Sequence, residues 1–122
     1  MMKKIAVGAC LLFLGLACWR KNPALKAGEE IAVSCESIAI DSECAEFVTT
    51  DPAKKAELAT AMQVLCKSGK TGTICPTSGI VGSCRLDKDH LIGNYYSNGA
   101  KAFDVAKAKM ECTRHTGSWV DR

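Results

Sequence analysis

The chain reads as a small α+β domain stapled by disulfides and built from two β-hairpin-plus-helix units. Three observations point there. Eight cysteines stand in 122 residues, and six of them lie beyond an apolar leader. An exported chain this short with an even cysteine set reads as a disulfide framework. Runs with strand-like alternation are followed by stretches with helical spacing, and one pattern occurs twice. At this length the chain is one domain rather than two.

The leader comes first. Met1-Met2-Lys3-Lys4 is a positive start, and Ile5 to Ala17 is uncharged and rich in Leu, Ala, Val and Phe. Those thirteen residues would span about 20 Å as a helix, short of a bilayer core of about 30 Å. Residues 1–17 are therefore expected to be a signal peptide. A buried N-terminal helix is the rival reading, but it would have to bury every face in a small domain. Leu14-Gly15-Leu16-Ala17-Cys18 ends the segment. Small residues at Gly15 and Ala17 suit signal peptidase, and a Cys directly after Ala17 resembles a bacterial lipobox, with the aliphatic residue displaced by one place. Cys18 is the expected lipidation site, and simple secretion is the alternative. Cys10 is a poorer candidate, because only a very short apolar stretch precedes it.

Residues 18–30 are expected to be a lipidated cysteine and a solvated basic tether, and residues 31–122 the folded domain. Three acyl chains would hold such a protein to a membrane, where one alone is marginal. Loss of Lys3 and Lys4 takes the formal charge from +3 to +1. A near-neutral domain has no electrostatic footprint for nucleic acid.

In the first unit, Val33–Ile40 and Cys44–Thr49 read as a hairpin around Asp41-Ser42. A helix over residues 28–46 is the alternative, since Ile31, Cys35 and Ile38 also fit one helical face. Asp51 then caps and Pro52 opens a helix over Lys54–Lys67, with Gly69 beyond its end. Leu58, Met62, Leu65 and Cys66 share one face of it. In the second unit, Ile80–Leu86 is a strand, Asp87-Lys88-Asp89 a polar tip, and Leu91–Ser97 the return strand, with a bulge expected at Gly93-Asn94. Asn98-Gly99 turns the chain. A helix follows from Gly99 or Ala100 to Cys112, with Ala102, Phe103, Ala106 and Met110 on one face.

Each unit thus runs β-β-α with its helix folded back on its hairpin. Six cysteines allow fifteen pairings. The repeat favours Cys35 with Cys66 and Cys84 with Cys112, which leaves Cys44 with Cys75. Each bridge is worth about 2–4 kcal/mol, and a core with three Phe, two Tyr and two Trp needs such staples. Zinc is the rival use of cysteine. No C-x-x-C pair occurs, and only His90 and His115 could add nitrogen; no cofactor is expected.

Cys75-Pro76, Gly82-Ser83-Cys84, Tyr95-Tyr96, Cys112 and Thr116-Gly117-Ser118-Trp119 together resemble a pattern in short exported cysteine-rich lipoproteins of Leptospira-like spirochaetes and of myxobacteria. The usual ending has two glycines and Thr before the Trp, where this chain has Thr116-Gly117-Ser118. The resemblance covers Cys35 to Trp119. It implies location and fold, and it brings no catalytic residues with it.

Chemistry is sparse. His90 sits beside Asp87 and Asp89 at a hairpin tip, where a solvated role outweighs a triad fragment. His115 follows Cys112 by three places, but a bridged sulfur has no thiolate. Counting an EF-hand loop from Asp87 puts Ile92 where Gly belongs and Asn98 where Glu belongs. Gly69-Lys70-Thr71 lacks the first glycine of a P-loop, and no G-x-S-x-G is present. Glu29-Glu30 and Glu43 with Glu46 read as solvated carboxylates. Tyr95 and Tyr96 should face opposite sides of a strand, one in the core and one exposed. Tyr95, Tyr96 and Trp119 are thus the candidate binding surface, against the simpler role of lids on a thin core. The expected function is a non-catalytic interaction or structural module on the bacterial envelope, with the outer membrane as its place and a host or envelope protein as partner. A secreted inhibitor or effector is the alternative, and a small envelope enzyme a lesser one.

Overall fold

A computed structural model describes Asn22–Arg122. The expected signal peptide, with Cys10, the expected lipidation site Cys18, and residues 19–21 lie outside the described residues. Six strands form one antiparallel sheet in the order β3-β1-β2-β5-β4-β6. They are β1 (Glu30–Ser37), β2 (Glu43–Thr49), β3 (Lys70–Gly72), β4 (Ile80–Leu86), β5 (Leu91–Tyr96) and β6 (Ser118–Asp121). A one-turn helix α1 (Ile38–Asp41) joins β1 to β2. The longer helices α2 (Lys55–Leu65) and α3 (Val105–Arg114) follow the two hairpins. The fold is the expected small α+β domain with three disulfides.

The two halves repeat in detail. At the centre of the sheet Ala45 faces Gly93, with Glu43 opposite Tyr95 on one side and Phe47 opposite Leu91 on the other. The register of β1 on β2 slips between Ile31 and Val33, and that of β4 on β5 between Ile80 and Gly82. Cys35 of β1 lies between Ala45 and Thr71, and Cys84 of β4 between Gly93 and Trp119. Both hairpin connections close on a left-handed residue, Ser42 (φ 56°) and His90 (φ 52°). The disulfides are Cys35–Cys66, Cys84–Cys112 and Cys44–Cys75.

Several expectations need correction. Each half is β-β-α-β, because β3 and β6 add a strand after the helix. The bulge lies in β4 rather than at Gly93-Asn94, since Gly93 pairs regularly on both sides at the sheet centre. The first hairpin exists, and β1 begins at Glu30 with a helical turn at its end. In α2, Met62 is buried but Leu65 is 66% exposed, because the helix ends there and Cys66 turns in to its disulfide. Helix α3 starts only at Val105, after Asp104 accepts the Lys107 N–H at 2.7 Å as N-cap. Its inward face is Ala108 and Cys112, while Ala102, Ala106 and Met110 are exposed. Residues 97–103 are spent instead on the first hairpin tip.

The core has two sides. On the helix side, Val33, Phe47 and Met62 pack in the first half, and Tyr95, Phe103, Ala108 and the Cys84–Cys112 bridge in the second. The opposite side is covered by two straps of chain. The segment between β3 and β4 is fastened by Cys44–Cys75 and by the Tyr96 hydroxyl, which donates to the Pro76 carbonyl at 2.6 Å. The segment before β1 lays Ala24 against Val48 and Ile92. Residues 22–29 are therefore part of the domain and not a free tether. Ala24 is 1% exposed, which a solvated linker never achieves.

Candidate functional site

Arg85 makes the leading strap stay down. It is a charged residue in a strand position that points inward, and it is 7% exposed. Its guanidinium donates to both carboxylate oxygens of Glu29 (2.8 and 2.9 Å), to the Ala24 carbonyl (2.6 Å) and to Asp87 (2.8 and 3.0 Å). A planar guanidinium suits this two-pronged contact. The hydrogen bonds from Arg85 hold the Glu29 carboxyl below its ordinary range, against the opposing effect of burial. Asp87 is lowered by the same guanidinium and by Lys26 at 3.2 Å. The tip of the second hairpin is thus tied to the strap.

A second polar cluster lies under the straps. Glu46 (2% exposed) accepts from the Cys75 N–H at 2.8 Å and from Asn94 Nδ2 at 2.8 Å. The Ser83 hydroxyl donates to Asn94 Oδ1 at 2.6 Å, and Arg122 reaches both Ser83 and Asn94. Every polar atom here has a partner, as buried groups require. Glu46 is therefore not a solvated carboxylate, as its polar spacing with Glu43 suggests, but pins the second strap to the sheet.

Neither tyrosine offers a surface. Tyr95 and Tyr96 do face opposite sides, but both sides are covered, and they are 3% and 0% exposed. Tyr95 meets Phe103 edge-on at 4.8 Å and stacks on Trp119 at 6.3 Å. Burial pushes its hydroxyl up to about 12 and raises that of Tyr96 as well. Trp119 is half-buried and lies over Gly82, where an added Cβ would sit 2.0 Å from the indole. It is a lid on the core. The other candidates disperse. His115 Nε2 lies 3.3 Å from Glu111 at the exposed end of α3. Half-buried Glu43 is raised first by burial and then by Glu111. Among the described residues no three His, Cys, Asp or Glu side chains converge as a metal site would need, and no helix is long and apolar enough to cross a membrane.

An open cleft of about 540 Å³ remains at the second hairpin tip. Its walls are Thr49–Asp51 at the end of β2, Lys54, Glu57 and Leu58 of the following turn and helix, and Asp89 and His90 of the tip. Phe47, Val48 and Glu29 also line it. The chain leaves it open for a local reason. Residues 50–54 join β2 to α2, and Pro52 within a 3-10 turn carries them straight into the helix. The matching link, residues 97–104, is three residues longer. It folds over the first tip, where Ala100 N–H donates to Ala39 O at 3.1 Å, Lys101 N–H to Ser42 Oγ at 3.0 Å, and Phe103 is buried. Gly99, at φ 92°, is required there: a Cβ would lie 1.9 Å from the Ile38 carbonyl. The first tip is covered by its link, and no link folds over the second.

Three disulfides in so short a domain belong to an oxidising setting, extracellular or within the cell envelope. No family model, curated protein or solved structure matches this chain.

Proposed function

We propose that this protein is a non-catalytic binding module, held on the bacterial envelope, with the outer membrane as its expected place, by a lipid on Cys18. Its partner is a protein segment of the host or the envelope, taken at the cleft between Asp51, Glu57 and His90. The uncovered tip carries this reading. A sheet locked by three disulfides presents an ordered recess whose equivalent in the other half is filled by the chain itself. Rigid walls reduce the ordering cost of association. The His90 backbone is ordered, since its carbonyl accepts from the Val48 N–H at 2.9 Å, while its side chain stays exposed. The bridged Cys112 and the exposed His115–Glu111 pair lend no support to a nucleophilic site.

A photo-crosslinking residue at position 90 tests this in intact cells, against the same residue at Met110 on the far helix. A discrete crosslinked partner from position 90 and none from position 110 is expected. Equal products from both positions, or none from position 90, overturn the proposal. Intact mass measurement of the native protein decides the anchoring: diacylglycerol mass on Cys18 is expected, and an unmodified N-terminus in the medium turns the reading to a secreted inhibitor or effector.

A further inference from the structure

We infer that the strap-covered back of the sheet is the surface held against the lipid bilayer, so that α2 and α3 face away from it. This rests on the lipid anchor proposed above. The argument starts from where the chain enters the fold. Asn22 lies on the back of the sheet, beside Ile74, Pro76 and Arg122 of the other strap and the chain end. Only Trp19, Arg20 and Lys21 separate it from Cys18. Four steps of extended chain reach about 14 Å at most.

Asn22 cannot drift from the sheet while the strap is docked. Its carbonyl accepts the Leu25 N–H, its side chain accepts the Ala24 N–H, and Ala24 is fixed by Arg85. A lipid at Cys18 therefore keeps the back of the domain within one short leash of the headgroups, and the domain has no length of chain with which to turn over. The outward chemistry of the straps fits that neighbour. Ile74 is 59% exposed, and Pro23 and Pro76 are exposed on the same straps. Lys26 adds an exposed cation, shared with Asp87 at 3.2 Å, and the sequence of the leash contributes Arg20 and Lys21. Apolar side chains with flanking cations suit an anionic lipid surface. The cleft lies at the tip end of the sheet, lined by Lys54, Glu57 and Leu58 from the helix side and by Glu29 and Val48 from the strap side.

The test uses the full chain purified from membranes, its Cys18 lipid verified by intact mass, in nanodiscs of phosphatidylethanolamine and phosphatidylglycerol with a gadolinium-bearing headgroup lipid. Relaxation enhancement of the amides of Lys26, Ala27, Ile74 and Thr77 should exceed that of Asp51, Glu57 and Lys109 at least five-fold. Larger enhancement at the helices, or an even spread over the domain, overturns the orientation while leaving the anchor in place. A chain without lipid on Cys18 overturns the anchor and the orientation together.

Discussion

The two halves of the sheet share one register and differ in how each is sealed. In the first half Val33 and Met62 supply bulk near the sheet, and small Thr71 stands across from Cys35. In the second half the bulk has moved outward. Gly82 takes the place of Val33, Ala108 that of Met62, and Trp119 that of Thr71. Phe103 is added from the longer link. The straps differ in the same spirit: one is fastened by Cys44–Cys75, the other by Arg85 on Glu29 and the Ala24 carbonyl. One backbone plan thus accepts two packings, provided volume is conserved between facing positions. Where the first half omits the Phe103 link, a cleft results.

Breaking the disulfides should separate the halves most. The loops closed by Cys35–Cys66 and Cys84–Cys112 are similar, with separations of 31 and 28 residues. Loop closure alone makes each worth about 3.6 kcal/mol. Cys84 and Cys112 are both 1% exposed, so C84A/C112A adds cavity cost and should reach about 5 kcal/mol in urea unfolding. C35A/C66A should stay near the loop value, because these sulfurs are half-buried. Under limiting reductant, mass mapping should find Cys35–Cys66 opened first.

Phe103→Ala should cost about 4 kcal/mol, since it empties the seat against Tyr95 and makes the second half resemble the first. Gly82→Val tests the exchange of bulk. It should cost about 3 kcal/mol by driving Trp119 off its seat. Adding Trp119→Thr, the pairing of the first half, should recover more than about 1 kcal/mol in a double-mutant cycle; additive losses would reject the idea that the two positions trade volume. Arg85→Met should cost about 2 kcal/mol, less than a fully buried pair, because Asp87 is exposed. It should also release the leading strap, seen as faster amide exchange at Ala24 and Leu25 while the Cys75 strap stays protected.

The smallest effect is a pH dependence. Glu29 has its folded pKa lowered, chiefly by the Arg85 hydrogen bonds. Its contribution is therefore complete above the ordinary carboxylate range and is lost as pH falls through the lower folded value. Stability measured by denaturant from pH 6 to pH 2 should decline, and Arg85→Met should flatten part of that slope.

Much of the plan is legible in residue types. The repeat of Cys35 and Cys84, the turn residues at Asp41-Ser42 and Asp87–Asp89, and Asp51-Pro52 each mark an element by local chemistry. The short strands β3 and β6 carry no such mark. They exist because the outer edges of β1 and β4 offer unpaired backbone groups that the returning chain satisfies. The cleft was legible only in part: His90 and its flanking aspartates could be placed at a tip, but not whether anything covers it. Arg85 carried a signal that could have been weighed, a cation at an inward position of an apolar strand.

Sequence alone determined the class of domain, the two hairpins, the helix-forming stretches and an even set of six cysteines, because periodicity, caps and turns act over a few residues. Tertiary structure alone decided that both tyrosines are buried, that residues 22–29 pack onto the sheet, and that no link folds over the second hairpin tip. Each of those depends on what a distant segment lays across the sheet, and contacts between Arg85 and Glu29, or between Ala100 and Ala39, leave no trace in local spacing.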